Sequence, residues 1–553
     1  MSLVYMKVLE KKPENYEEEF QKLFPESVEI YKQILDSLLS KVKGRVLEIG
    51  CGPGVLARQL AKSGFEVVAI DFSEVMLAVA EKNAQKENLE QINFIQGDFL
   101  DFQFFMQLKD LGQFDAIVST FVLSEFSPLR QDLFLKLTRI LLKDSGKLFI
   151  AAETVPSSRL RKFFFNINRS IYTQVSVIKT GETTYPIKDF KNRLKKHFSP
   201  KLLYEKKQIM LFEAVPLPIE MNKEVPSPAS VLGNFSNLKT TWCMINGIYT
   251  RKHVQPGLYR IGNPNDKSPV LVTANYYWTV KSAFNSIKTQ KIDCYLLIID
   301  SRGINVWCGA GGGHFTHSQV IDALRLFDVE KITQNRRLIL PQLAATGVNH
   351  RDLQNFGWKP EFGPVYIQDL RKYLESPKKT EHQGKVRFGF LFRNIMGLQH
   401  TFFIFLSIFL PLSFLLGLIS LTGNSGSIFW FKVTLQLTIL GCIVSMAFAW
   451  LYPLFGFTQS FFKKGMVIGI ITLLCSVGYL YWRHSSVNLI TLTFWSSMVL
   501  MVSLFIVLDF SGNTSDSNHL DVESDLILFS VPALLLLLIA IISTGIDSVA
   551  YLL

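Results

Sequence analysis

Cys308 stands in the stretch Ile304-Asn-Val-Trp-Cys-Gly-Ala-Gly-Gly-Gly-His-Phe315, one thiol and one indole in a tract almost without side chains. A thiolate is a soft metal ligand, and glycines let backbone approach a flat surface closely and offer N–H groups at a helix start. The same tract also reads as a strand-to-helix turn with a small buried cysteine, since an unreactive Cys is usually core. A second set lies earlier, in Arg45-Val-Leu-Glu-Ile-Gly-Cys-Gly-Pro-Gly54, with Asp71 some way beyond and then Gly97-Asp98-Phe99. A glycine loop with an acid on the neighbouring strand end suits a nucleoside-bearing ligand. The glycines admit it close to the backbone, and the carboxylate accepts hydrogen bonds from ribose hydroxyls.

Both sets need strands ending in loops. Hydrophobic periodicity predicts a helix over Tyr16–Val42, a strand from Arg45 into the glycines, then a helix over Val55–Ser63. Further strands are expected at Glu66–Ile70, Ile92–Gln96 and Phe114–Ser119, with a late helix (Ile187–His197) and two closing strands after Pro200. Val215-Pro-Leu-Pro218 and Val225-Pro-Ser-Pro228 favour extended chain and place a boundary, giving a first domain of residues 1–217. Alternation resumes with strands at Pro269–Asn275 and Cys294–Asp300 and a helix at Val280–Ile287 between them. It continues with a helix at Ser318–Phe327, strand Arg337–Leu340, helix His350–Asn355 and strand Pro364–Tyr366. This second domain, 218–385, is expected to be α/β with a mainly parallel sheet, its ligand beyond the carboxyl ends of the strands, where the glycine tract lies.

Residues 386–553 contain five apolar stretches, near 401–421, 428–449, 466–482, 490–508 and 526–546, each about the ~20 residues that span a bilayer. Lys385, Arg387 and Arg393 precede the first and Lys463 and Lys464 follow the second, whereas Thr422–Ser427 has no basic residue. This bias predicts a multi-pass inner-membrane protein with cytoplasmic soluble domains. The formal net charge of +12 fits anionic lipid beside such spans better than nucleic acid. Basic residues cluster in Arg159–Arg169 and Lys188–Lys201. The Phe163-Phe-Phe165 run there reads as an interfacial helix, an acceptor lid or a packed helix with a basic face. The six cysteines form no C-x-x-C pair, which excludes a disulfide framework, zinc ribbon or iron–sulfur signature. His314 and His317 have metal-ligand spacing but read equally as solvated residues at a helix start.

Glu48-Ile-Gly-Cys-Gly-Pro-Gly54, Asp71 and Gly97-Asp98 resemble the motifs of class I S-adenosylmethionine-dependent methyltransferases. The resemblance implies a Rossmann-like fold. Gly50, Gly52 and Gly54 would then line the methionine side, Glu48 would support the loop, Asp71 would hold the ribose and Asp98 would face adenine. Asn305-Val-Trp-Cys-Gly-Ala-Gly311 resembles the signature of the membrane-anchored corrinoid proteins of microbial mercury methylation, relatives of the corrinoid subunits of the CO dehydrogenase/acetyl-CoA synthase pathway. Gly257-Leu-Tyr, Gly262-Asn-Pro264, Pro269–Asn275, Arg336–Gln342, Gly363-Pro-Val365 and the loop from Asp509 to Thr514 extend it. It implies a cobalamin-type corrinoid with Cys308 as the catalytic residue and lower axial cobalt ligand. Asn305, Val306 and Trp307 would position that ligand, and Gly309, Ala310, Gly311, Gly312 and Gly313 would leave room for the ring. Where the family has a lysine, this chain has Gly312, which weakens the case for mercury more than the case for cobalt.

The expected protein is thus multidomain: a Rossmann-like methyltransferase, a corrinoid-binding α/β domain and a bundle of five transmembrane helices. The expected function is methyl transfer with the methyl carried on cobalt, loaded from S-adenosylmethionine and passed to a soft metal acceptor such as Hg(II). A ferredoxin-like electron donor is implied, because this chain has no cluster motif of its own. Two alternatives stand beside it. One is a corrinoid methyl carrier serving another acceptor or enzyme. The other is a membrane-associated small-molecule or lipid methyltransferase with a vestigial second domain.

Overall fold

The computed structural model describes residues 16–41 and 44–166 with brief interruptions, Arg169, 184–218, 225–232, 253–376 and, with interruptions, 381–512. Two compact units result, Met1–Val225 with Ile321–Lys331, and Pro226–Val320 with Ile332–Leu553.

The first unit is built on a seven-stranded sheet: β1 (Arg45–Ile49), β2 (Glu66–Asp71), β3 (Ile92–Gln96), β4 (Phe114–Thr120), β5 (Leu142–Glu153), β6 (Phe198–Lys206) and β7 (Ile209–Pro216). The order is β3-β2-β1-β4-β5-β7-β6. The first five strands are parallel, and β7 runs antiparallel to both β5 and β6. Chain direction reverses between β1 and β4, so their carboxyl ends flank a crevice. The central strands are buried on both faces; Val46, Leu47, Val67, Ala69, Ile117 and Val118 are fully buried or nearly so.

Three expectations change here. The helix over Tyr16–Val42 is two helices, Tyr16–Leu23 and Glu26–Lys41, because Pro25 lacks the N–H that would continue the first. The helix over Ile187–His197 shrinks to Phe190–Leu194. Strand β5 was not anticipated, because Lys143-Asp-Ser-Gly-Lys147 interrupts its apolar run; the register with β4 shifts at that point.

The second unit holds β8 (Gly257–Ile261), β9 (Val270–Ala274), β10 (Cys294–Ile299), β11 (Arg337–Leu340) and β12 (Lys359–Phe362) in the order β12-β11-β9-β10-β8. All pairings are parallel except β8 with β10. The strand expected at Pro364–Tyr366 is instead Lys359–Phe362, held to β11 in register. From β9 the chain moves toward the β8 edge, and from β10 it returns past β9 to β11. That divergence puts the loop after β10, with the glycine tract, at a switch point.

Apolar helices follow at Leu410–Ser420, Ser425–Leu451, Phe461–Arg483 and Leu489–Gly512. Among the described residues one segment, Val433–Leu454, is long and apolar enough to cross a membrane, whereas Leu410–Ile419 and Trp495–Leu504 are shorter apolar stretches. Five spans are not supported among the described residues, and the stretch at 526–546 lies outside them. The loop expected from Asp509 is helical as far as Gly512, and Asn513 and Thr514 lie outside.

Candidate functional site

In the first unit the chemistry gathers at the carboxyl ends of β1 and β2. Gly50, Gly52 and Gly54 have φ of +74°, +51° and +74°, a region that favours glycine. This backbone turns sharply enough for the Gly50 and Cys51 N–H groups both to donate to the Ile70 carbonyl, at 2.8 and 3.0 Å. A Cβ on Gly50 would lie 2.1 Å from Val122, but one on Gly52 would meet no atom within 4 Å. Gly52 therefore faces open space. Its N–H donates to Asp71 Oδ2 at 2.9 Å, and the Ser73 N–H donates to Oδ1 at 2.9 Å. The glycine loop and the acid form one hydrogen-bonded unit.

Glu48 lies beneath this loop, 3% exposed. Burial pushes its carboxyl up to about 8, and the Asp71 charge adds to the rise. Its Oε2 is buried without a hydrogen-bond partner among the described residues. Burial and then Glu48 also hold the Tyr31 phenol above its usual range. Asp98, after β3, accepts a hydrogen bond from the Leu100 N–H at 2.9 Å and lies 3.5 Å from Arg130. Arg130 also approaches Asp322 Oδ2 at 3.1 Å; burial raises that acid to about 6, with Arg130 opposing. Glu48, Gly50, Gly52, Gly54 and Asp71 thus meet at one place, and Asp98 stands on the next strand end. Arg130 and Asp322 escape sequence reading because no local pattern links them.

In the second unit, Asn305 caps a short helix, Val306–Gly311, its side chain accepting from the Cys308 N–H at 2.8 Å. The Gly309 N–H returns to the Asn305 carbonyl at 2.8 Å, and the Gly312 N–H to the Cys308 carbonyl at 2.9 Å. Val306 and Ala310 are buried and Trp307 and Cys308 half-buried, so one helix face anchors while the other stays accessible. Burial raises the Cys308 thiol above its ordinary range, and the Asn305 side chain opposes that rise. A Cβ on Gly311 or Gly313 would meet nothing within 4 Å, whereas one on Gly312 would lie 3.0 Å from the Cys308 carbonyl. Gly347 braces the tract from behind: a Cβ there would lie 2.4 Å from the Phe315 carbonyl oxygen and 2.8 Å from that of Ala310.

The loop that delivers Asn305 is held by Asn275, fully buried after β9. Its Oδ1 accepts from the Ser301 N–H (3.0 Å), the Ser301 hydroxyl (2.8 Å) and the Gly303 N–H (2.9 Å), and its Nδ2 donates to Asp300 at 3.1 Å. Ser301 Oγ also lies 2.6 Å from the Ile304 carbonyl, so its single hydroxyl proton is shared between that oxygen and Asn275 Oδ1. Arg302 and Gly303 take φ of +59° and +72°, a double left-handed turn that this network stabilises. Asn275 ends the segment Pro269–Asn275, whose local sequence assigns it no role. His317 pairs with Asp352 at 3.2 Å, and no group of three or more His, Cys, Asp or Glu residues among those described could hold a metal.

A family model for a methyltransferase domain matches residues 46–146. A model for the CO dehydrogenase/acetyl-CoA synthase delta subunit matches residues 239–372. The acetyl-CoA decarbonylase/synthase complex subunit gamma of Methanopyrus kandleri is 36% identical over 125 residues, 22% of this chain and 27% of that protein. The corresponding subunit of Methanothermobacter thermautotrophicus is 29% identical over 133 residues, 23% of this chain and 29% of that protein. The chain thus spans less than a third of the length of these relatives. Among solved structures, magnesium protoporphyrin IX methyltransferase from Synechocystis with bound SAH is 20% identical, covering 34% of this chain and 84% of its own, with a TM-score of 0.26. The chain carries a methyltransferase domain on a Rossmann-like fold, followed by a second α/β domain related to the gamma and delta subunits of the acetyl-CoA-synthesising complexes.

Proposed function

We propose that this protein is a membrane-anchored, corrinoid-dependent methyltransferase organised as 1–217, 218–385 and 386–553. The observation that carries the reading is the presence in one chain of a methyltransferase domain and a domain related to corrinoid-pathway subunits, the latter with Cys308 on an accessible helix face.

The residues present fit both cofactors. Gly52 has open space where a side chain would stand, and Asp71 is already aimed by two backbone N–H groups. Together they would hold the nucleoside of S-adenosylmethionine, with Gly50 and Gly54 shaping the loop, Glu48 supporting it and Asp98 flanking it. S-adenosylmethionine supplies an electrophilic methyl group. Gly311 and Gly313 leave a side-chain-free face, beside Cys308, where a corrin ring would lie. A bound corrinoid supplies a cobalt centre able to accept and release methyl groups. Cys308 would give its thiolate to that metal as a strongly donating ligand, and coordination would remove the thiol proton. Asn305 fixes the turn that presents the sulfur; Val306 anchors it, and Trp307 excludes water beside it.

Membrane anchoring is favoured by the character of the C-terminal helices. Phe414, Ile443, Trp450, Leu474 and Trp482 are exposed apolar side chains, costly in water and suited to lipid. Gly465 and Gly469, spaced as in Gly-x-x-x-Gly, bring the third helix against Leu504 and Leu500 of the fourth, a packing common within bilayers. We place the soluble domains in the cytoplasm at the inner membrane, with a ferredoxin-like donor in trans for reduction. A soft metal such as Hg(II) is the proposed acceptor. Gly312, in place of the lysine of the mercury-methylating family, favours keeping a second reading, a methyl carrier for a partner enzyme.

The test is to incubate the purified, corrinoid-loaded protein with methyl-labelled S-adenosylmethionine under reducing conditions. Label is expected to elute with the corrinoid; its absence there overturns loading within this chain. A single turnover with Hg(II) and no other protein then separates the two readings of the acceptor.

A further inference from the structure

Residues 159–166 of the first unit form a helix, Arg-Leu-Arg-Lys-Phe-Phe-Phe-Asn, that the proposed chemistry leaves unused. Leu160, Phe163 and Phe164 are 67%, 60% and 57% exposed, large fractions for side chains of this kind. At 3.6 residues per turn the three fall within an arc of about 100°. Arg159 and Arg161 flank that arc on opposite sides, with Lys162 beyond Arg159. Phe165 points away from the stripe and is half-buried. The Phe163 and Phe164 rings meet edge to face, with centroids 5.6 Å apart, so the exposed pair forms one apolar wedge.

We infer that this helix is a second membrane contact, lying in the interface of an anionic bilayer with its Leu160–Phe163–Phe164 stripe in the acyl boundary. Charge complementarity selects the occupant. Two cations, Arg159 and Arg161, border the stripe and residues 159–166 contain no acid, so these basic side chains reach lipid phosphates while their stems cover apolar surface. An aromatic and basic helix of this kind adds affinity that depends on lipid charge and falls with salt. The methyltransferase unit would thereby be tethered independently of the C-terminal helices, and any acceptor it meets would be met near the headgroups. The inference rests on the membrane reading of the C-terminal helices only in that both place the chain at a bilayer.

The full chain is reconstituted in phosphatidylcholine vesicles with or without phosphatidylglycerol, floated, and followed by hydrogen exchange over residues 158–166. Exchange roughly tenfold slower in the anionic vesicles than in detergent is expected. The protection should fall in high salt and be lost in the Phe163→Ser/Phe164→Ser and Arg159→Glu/Arg161→Glu variants, with S-adenosylmethionine binding retained. Flotation without protection of this segment overturns the inference and leaves the C-terminal anchor standing. Failure to float overturns both. Equal protection in detergent on adding S-adenosylhomocysteine would make the helix a lid on its own unit and also overturns the inference.

Discussion

The Asn305 side-chain oxygen accepts the Cys308 backbone N–H at 2.8 Å, so the residue that starts the short helix also fixes the residue proposed to meet cobalt. Replacing Asn305 with Ala removes a helix cap, a loss of about 1 kcal/mol, and leaves the Cys308 turn free to fray. The expected result is a lower melting temperature with reduced corrinoid retention, both restored by Asn305→Asp, which keeps the capping oxygen. Cys308→Ala should leave the fold intact and abolish the thiolate-ligated cobalt absorption; an unchanged spectrum would remove the ligand assignment.

Two glycines of the same region should respond in opposite ways. In Gly347→Ala the new methyl meets backbone on both sides, and overpacking of this sort costs about 1–3 kcal/mol. Thermal unfolding should register it. In Gly311→Ala the methyl enters open space and Ala is the better helix former by up to ~1 kcal/mol, so stability should hold or rise. Corrinoid occupancy, read from cobalt content, should nonetheless fall. Full occupancy in Gly311→Ala would move the ring off this face.

Asn275 answers for a loop some thirty residues downstream of it. Asn275→Ala leaves the Ser301 and Gly303 N–H groups without their acceptor, and an unsatisfied buried group costs about 1–3 kcal/mol. We expect a clear drop in the denaturation midpoint. Loss of corrinoid retention should accompany it even though Asn275 would touch no cofactor atom, because Asn305 is delivered by that loop.

Glu48 makes stability depend on pH in an unusual direction. Its folded value of about 8 lies above the ~4.3 of an unfolded glutamate, so between these values the native state holds a proton that the unfolded chain has released. Its contribution is complete below the unfolded value and is lost as pH rises through the folded one, at up to about 1.4 kcal/mol per pH unit. Glu48→Gln cannot ionise, and its melting temperature should fall less than wild type between pH 5 and 8. Parallel wild-type and variant curves over that range would refute a protonated Glu48.

Much of the architecture is legible in the chain because it is written in contiguous runs. The apolar strands of both sheets, the glycines that end β1, the acid that ends β2 and the turn at Cys308 each declare themselves within a dozen residues. What escaped is what depends on residues far apart. Strand β5 hides because a polar segment cuts its run, and β8 because a short antiparallel edge strand resembles loop. The role of Asn275 is invisible without the 300–304 loop beside it, and the Arg130–Asp322 pair joins residues with no local signal. In the C-terminal region hydropathy reads five runs as spans, and among the described residues one segment, Val433–Leu454, meets the length and apolarity of a span.

The helix His317–Leu326 begins in the second unit and ends in the first, where Asp322 meets Arg130 and Asp328 meets Lys136 at 2.6 Å. The first unit is therefore not one continuous stretch of chain. A fragment cut at the proline link would carry off Asp322 without the guanidinium that balances its burial, and would leave Lys136 half-buried with no carboxylate to meet. Dissection into separately expressed halves should yield two damaged pieces. The corrinoid-related part is better studied by silencing the methyltransferase loop in the intact chain than by removing it.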